Sequence, residues 1–129
     1  MFTSVTTGAL GFPRMGPKRE LKFGLEKYWK NAINREELIK IAHTIEENSW
    51  KIQKDAGFDR IAVGDFALYD MVVTWIERLG IVPERFSKME SGIDRMFAMS
   101  RGVEGADALS KYTIGNLIKS FEHISATAN

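Results

Sequence analysis

The sequence predicts an α/β fold, rich in helix, with short parallel strands. Three observations point to it. Two short apolar runs, residues 6–12 and 60–63, each end in a glycine-bearing loop, as strands do. Between and after them, apolar residues recur at steps of three and four, as on one face of a helix. The resulting order of strand, helices, strand, helix is that of α/β proteins with parallel strands.

The elements follow in chain order. Residues 6–12 read as a buried strand, stopped by the turn Gly11-Phe12-Pro13-Arg14-Met15-Gly16. Pro17 suits the first turn of a helix, where its missing N–H is not needed, so a helix is expected over residues 18–30. Asn34 with Glu37 has capping-box spacing. Leu38, Ile41, Ala42, Ile45 and Ile52 then follow as one helical stripe that should close at Ala56-Gly57. Residues 60–63 give the second strand and 68–79 a helix closing on Gly80. A connector around Pro83 leads to helices over 93–100 and 107–123, and residues 125–129 should fray.

The chain has 129 residues, the size of one ordinary domain, and is 44% hydrophobic and 27% charged, near the average for globular proteins. Eighteen Lys plus Arg against seventeen Asp plus Glu leave a formal charge of +1, so no overall field recruits nucleic acid or an anionic membrane. Cysteine is absent, which removes disulfides, thiolate metal ligands and a thiol nucleophile. The opening residues lack the pattern of an export signal, and no stretch approaches the roughly 20 apolar residues that span a bilayer, so a cytoplasmic location is expected.

Chemistry is expected at the two strand-end loops, because parallel α/β architectures bind ligands at the carboxyl ends of strands. Arg14, Lys18, Arg19 and Lys22 crowd the first loop and the helix start after it. Cations there oppose the partial positive charge of free N–H groups, and a bound phosphate or carboxylate would remove the conflict. A solvated basic turn balanced by Glu20 and Glu26 is the alternative. In the second loop, Asp65 is read first as the cap of the next helix, with Tyr69 and Asp70 inside that helix. His43 and His123 have no partners at metal-ligand spacing. Met71, Met96, Met99, Phe97, Trp75 and Trp50 read as core rather than as a cofactor box.

Leu10-Gly11-Phe12-Pro13-Arg14-Met15-Gly16-Pro17-Lys18-Arg19-Glu20-Leu21-Lys22, followed by Tyr28-Trp29, resembles the opening of cobalamin-independent methionine synthases. The likeness continues through Arg35-Glu36-Glu37-Leu38 and Trp50-Lys51-Ile52-Gln53-Lys54-Asp55-Ala56-Gly57. It then takes in Val63-Gly64-Asp65-Phe66-Ala67-Leu68-Tyr69-Asp70, and Ile93-Asp94 with Met96-Phe97-Ala98-Met99 and Arg101-Gly102. The resemblance implies two (β/α)8 barrels in tandem. The N-terminal one would help to hold the glutamate tail of 5-methyltetrahydropteroyl-oligoglutamate, and the C-terminal one would carry zinc and homocysteine. The family's folate-contacting stretch maps onto Arg19, Glu20, Leu21 and Lys22, with Arg14 and Lys18 in support, and a later folate-contacting lysine maps onto Lys111.

The likeness thins after Tyr112: Asn116 fits, but Leu117, Ile118 and Lys119 replace the family's aromatic and histidine residues. Residues 1–112 are therefore read as the family-like segment and 113–129 as a divergent helix and tail. A (β/α)8 barrel takes about 250 residues, so the chain would supply its first strands and helices, without closure. Two short strands leave open edges, to be covered by the chain's own helices, by the remaining barrel or by another copy of the chain. With no cysteine and no zinc cluster, the chain holds no cofactor of its own and is expected to make no methionine alone. Two readings stay open: the folate-binding part of the methyltransferase, or a truncated non-catalytic paralogue serving as a folate-tail or protein-interaction module.

Overall fold

A computed structural model describes residues 4–103, in which four α-helices and a short 3-10 turn are joined by structured loops. α1 spans Glu20–Trp29, α2 Arg35–Asp55, α3 Met71–Leu79 and α4 Ile93–Arg101, with the 3-10 turn at Glu84–Phe86. This helix-rich content fits part of an α/β fold. The helix expected over 107–123, together with Lys111 and Asn116, lies outside the described residues.

Contacts divide the chain into two compact units, Met1–Met71 and Val72–Asn129. In the first, α1 packs on α2. Leu21, Leu25, Leu38, Ala42 and Ile45 are buried, and Gly24 lets the two helices approach, since a Cβ there would lie 3.2 Å from Ile41 Cδ1. α2 starts as its sequence dictates: the Asn34 side chain accepts from the Glu37 N–H at 2.9 Å, and the Glu37 carboxylate accepts from the Asn34 N–H at 2.9 Å. It ends with Gly57 at φ +80° and the Phe58 N–H reaching back to Gln53 O at 3.2 Å. Asn31, at φ 55°, closes α1 in the same way.

The two expected strands shrink to a single parallel bridge between Gly8 and Arg60. The parallel sense is as expected, but the length and burial are not: Leu10 and Val63 are fully and three-quarters exposed, at 105% and 75%. Apolar strand faces need a neighbouring layer, and two parallel segments alone supply neither enough ladder nor enough cover. What joins them here is polar. Asp59 accepts from the Thr7 N–H at 2.8 Å and the Thr7 hydroxyl at 2.9 Å, and these two bonds hold its carboxyl below its ordinary value.

In the second unit, Val73, Thr74 and Ile76 of α3 are buried, as are Phe86 and residues 96–100 of α4. Met96, Met99 and Phe97 are core, as their spacing suggests. Met71 and Trp75 are not: they are 37% and 44% exposed, and the Arg78 guanidinium lies 5.2 Å from the Trp75 ring centre. The helix expected from residue 68 begins at Met71, so Tyr69 and Asp70 precede it rather than lie within it. Asp65, six residues before that start, is not its cap.

Candidate anion-binding site

The loop after the first apolar run is held by long-range bonds rather than by its own turn. The Arg14 guanidinium donates through Nη1 to Ala67 O and Leu68 O, both at 3.1 Å, and through Nη2 to Tyr69 O at 2.8 Å. In the opposite sense, Asp65 Oδ2 accepts from the Phe12 N–H at 2.8 Å. Both strand-end loops are thereby tied together across more than fifty residues of chain. Parallel strands put their carboxyl ends side by side, which is the one sequence signal that could have paired Arg14 with residues 67–69.

α1 begins two residues later than its sequence suggests. Pro17 and Lys18 form a turn, and Arg19 takes the left-handed conformation, φ 59° and ψ 34°, as the residue before the first helical turn. Its N–H is held by Gly16 O at 3.1 Å, and the Leu21 N–H by Met15 O at 3.1 Å. Leu21 is fully buried, so it anchors the helix start rather than facing a ligand. The Glu20 carboxylate turns back to accept from the Lys18 N–H at 2.9 Å, placing a negative charge among the cations.

Lys18, Arg19 and Lys22 are exposed around this start, and Lys22 has a 3.7 Å ion pair with Glu26, both side chains about half exposed. Such a pair contributes little. Because Arg19 is left-handed and outside the helix, it does not share a helical face with Lys22 in the way that a spacing of three would give. Beside the site, a groove of about 740 Å³ runs between this loop and α2, lined by Phe12, Pro17, Glu20, Ile41 and Ile45 among others.

The left-handed Arg19 has a measurable consequence. A side chain in that region costs roughly 1–2 kcal/mol, and glycine does not bear the cost. Arg19→Gly is therefore expected to raise the melting temperature while Arg19→Ala leaves it near wild type; a lower melting temperature for the glycine variant would show that the Arg19 side chain stabilises the fold.

Among the described residues, no group of three or more His, Cys, Asp or Glu side chains is placed to hold a metal ion, so the donor set for a zinc site is not found there. Nor is any described helix long and apolar enough to cross a membrane.

Residues 6–114 match the family described as the N-terminal domain of cobalamin-independent synthase. The chain is 45% identical over 106 residues to a 5-methyltetrahydropteroyltriglutamate–homocysteine methyltransferase of Trichodesmium erythraeum, covering 82% of this chain and 14% of that protein. Its identity to the enzyme of the same name from Vibrio cholerae is 46% over 97 residues, 75% of this chain and 13% of the relative. For the Saccharomyces cerevisiae enzyme it is 43% over 101 residues, 78% and 13%. The chain thus spans about a seventh of the length of the curated relatives it matches. Matched over most of its residues, from the loop that Arg14 ties down to the end of α4 and beyond, the chain belongs to the cobalamin-independent methionine synthase family, within its N-terminal domain.

Proposed function

We propose that the chain is the opening part of a methyltransferase that moves a methyl group from 5-methyltetrahydropteroyl-oligoglutamate to homocysteine in methionine biosynthesis. Its own share is to hold the glutamate tail. Arg19, Glu20, Leu21 and Lys22 form the start of the tail site, with Leu21 anchoring it from the core rather than meeting the ligand, Lys111 adds a further cation, and zinc and homocysteine belong to the rest of the enzyme. The single parallel bridge supports the companion reading that residues 6–12 and 60–63 are the first strands of a (β/α)8 barrel.

The observation that carries the tail site is the crowding of Lys18, Arg19 and Lys22 at the start of α1. Among the described residues, no hydrogen bond or ion pair engages the Lys18 or Arg19 side chain, and Lys22 has a loose pair with Glu26 and lies 5.9 Å from the centre of the Phe23 ring. Three cations beside the positive end of a helix repel one another, and γ-carboxylates are anions that relieve the repulsion. Glu20, already bonded to the Lys18 N–H, serves as the carboxylate that keeps the site folded when no tail is bound.

Titrating the 129-residue chain with methyl-folate carrying one or three glutamates tests this. Affinity is expected to rise with tail length and to fall with salt. Arg19→Ala with Lys22→Ala should remove the gain, at about 1.5–3 kcal/mol per charge-assisted contact as an upper range for a wet site. Equal affinities for wild type and double mutant would end the reading. The exposed Val5, Leu10 and Val63 favour a second role as a protein-interaction module. In that case tail length has no effect, and light scattering shows a mass that grows with concentration.

A further inference from the structure

We propose that Arg14 and Asp65 are positioning residues for the tail site: without touching the ligand, they clasp the two strand-end loops together and so fix where Lys18 and Arg19 stand. This rests on the tail-binding reading above, and it moves Arg14 from the cations that meet the ligand to the framework that aims them.

The clasp is bonded in both directions. Both terminal nitrogens of Arg14 are committed to the three successive carbonyls of residues 67–69, and Ala67 itself is only 2% exposed. The planar fork spreads its donors over two nitrogens in a fixed geometry, whereas an ammonium would have to gather all three carbonyls around a single nitrogen. Asp65 returns the contact by accepting the Phe12 N–H, and it fits closely, because a Cβ on Gly11 would lie 3.0 Å from its Oδ2. Donor and acceptor are thus exchanged between the same two loops, which fixes their relative position in a way that one bond does not.

From the clasp, the path to the cations is short and backbone-bonded throughout. Phe12 and Arg14 lead to Met15, whose carbonyl holds the Leu21 N–H, while Gly16 O holds the Arg19 N–H. Leu21 is locked by full burial. Between these fixed points Arg19 is kept in its left-handed conformation, a state that persists only where the surroundings over-determine it. Releasing the loop at Arg14 or Asp65 frees the segment that carries Lys18 and Arg19.

The test compares the ratio of triglutamate to monoglutamate affinity in the full chain and in three variants, well below each melting temperature, with helix content checked by circular dichroism. Arg14→Ala removes fork and charge, Arg14→Lys keeps the charge, and Gly11→Ala crowds Asp65 while leaving every charge in place. Each is expected to lower the ratio about tenfold, which corresponds to about 1.4 kcal/mol. A general loss of folding would weaken both ligands alike and leave the ratio unchanged. If Arg14→Lys and Gly11→Ala keep the wild-type ratio while Arg14→Ala loses it, Arg14 acts by its charge and the clasp is overturned. If all three variants keep the ratio, the clasp is overturned and the tail site stands. If the wild type itself shows no dependence on tail length, the tail-site reading fails first.

Discussion

Replacing Glu77 with Ala is expected to destabilise the unit that begins at Val72 by roughly 1.5–3 kcal/mol, the range for hydrogen bonds to a charged group, because the pair with Arg95 is only part-buried. Glu77 gathers four bonds. Its Oε1 accepts from Arg95 Nη2 at 2.8 Å, Ser91 Oγ at 2.8 Å and the Gly92 N–H at 2.9 Å, and its Oε2 accepts from Arg95 Nε at 2.9 Å. The two side chains are only 12% and 11% exposed. Truncation therefore leaves the Arg95 guanidinium with little water and without its counter-charge, and it frees Ser91 and Gly92 at the entry to α4. Burial alone would raise the Glu77 carboxyl, but the bonds from Arg95, Ser91 and Gly92 outweigh it and hold the group below its ordinary value.

The sign of the pH effect follows from that shift. A carboxyl depressed in the folded state contributes its full stability above the ordinary glutamate range, and the contribution is lost as pH falls through the lower, folded value. Wild type should thus lose urea resistance on acidification more steeply than Glu77→Ala, and the two midpoints should converge in acid. Parallel curves would show that the pair contributes nothing to the pH response.

Where the chemistry of an element was local, the sequence was a sufficient guide. Asn34 and Glu37 announce the start of α2, Gly57 and Gly80 announce two helix ends, and Leu38, Ala42 and Ile45 of the expected stripe are buried on α2, whereas Ile52 of that stripe is 54% exposed and Gln53 is buried instead. The failures that bear on the site are non-local. Pro17 fits the first turn of a helix, yet the Met15 carbonyl and the burial of Leu21 move the start to Glu20 and turn Arg19 left-handed. Arg14 and Asp65 read naturally as a ligand cation and a helix cap, because their real partners lie more than fifty residues away, beyond any periodicity. Residues 6–12 and 60–63 carry strand composition, but a strand is a relation between segments, and Leu10 and Val63 have no covering layer among the described residues. The candidate site was legible as a charge cluster. Which of its cations face solvent and which one is consumed by the backbone was not.

Leu38→Ala should be among the most damaging single changes in the first unit. Leu38 is fully buried on α2, and its Cδ1 lies 3.4 Å from where a Cβ on Gly24 of α1 would stand. Removing it loses the transfer energy of the side chain and leaves a cavity at the helix crossing, about 2–5 kcal/mol in all. The neighbouring glycine makes the prediction sharper. Gly24→Ala alone sets a helix-propensity gain of about 1 kcal/mol against a tight contact with the Ile41 methyl, so its net effect should be small. In the Leu38→Ala background the new methyl enters the space that Leu38 vacated, and the same substitution becomes stabilising. The two changes should therefore be non-additive, with the double mutant more stable than the sum of the singles by about 1 kcal/mol, within the range for residues in contact. Urea midpoints for the four proteins decide it. Strict additivity would mean that α1 and α2 do not meet at Gly24 and Leu38 in solution, and the anchoring of the α1 start through Leu21, on which the tail site depends, would lose its support.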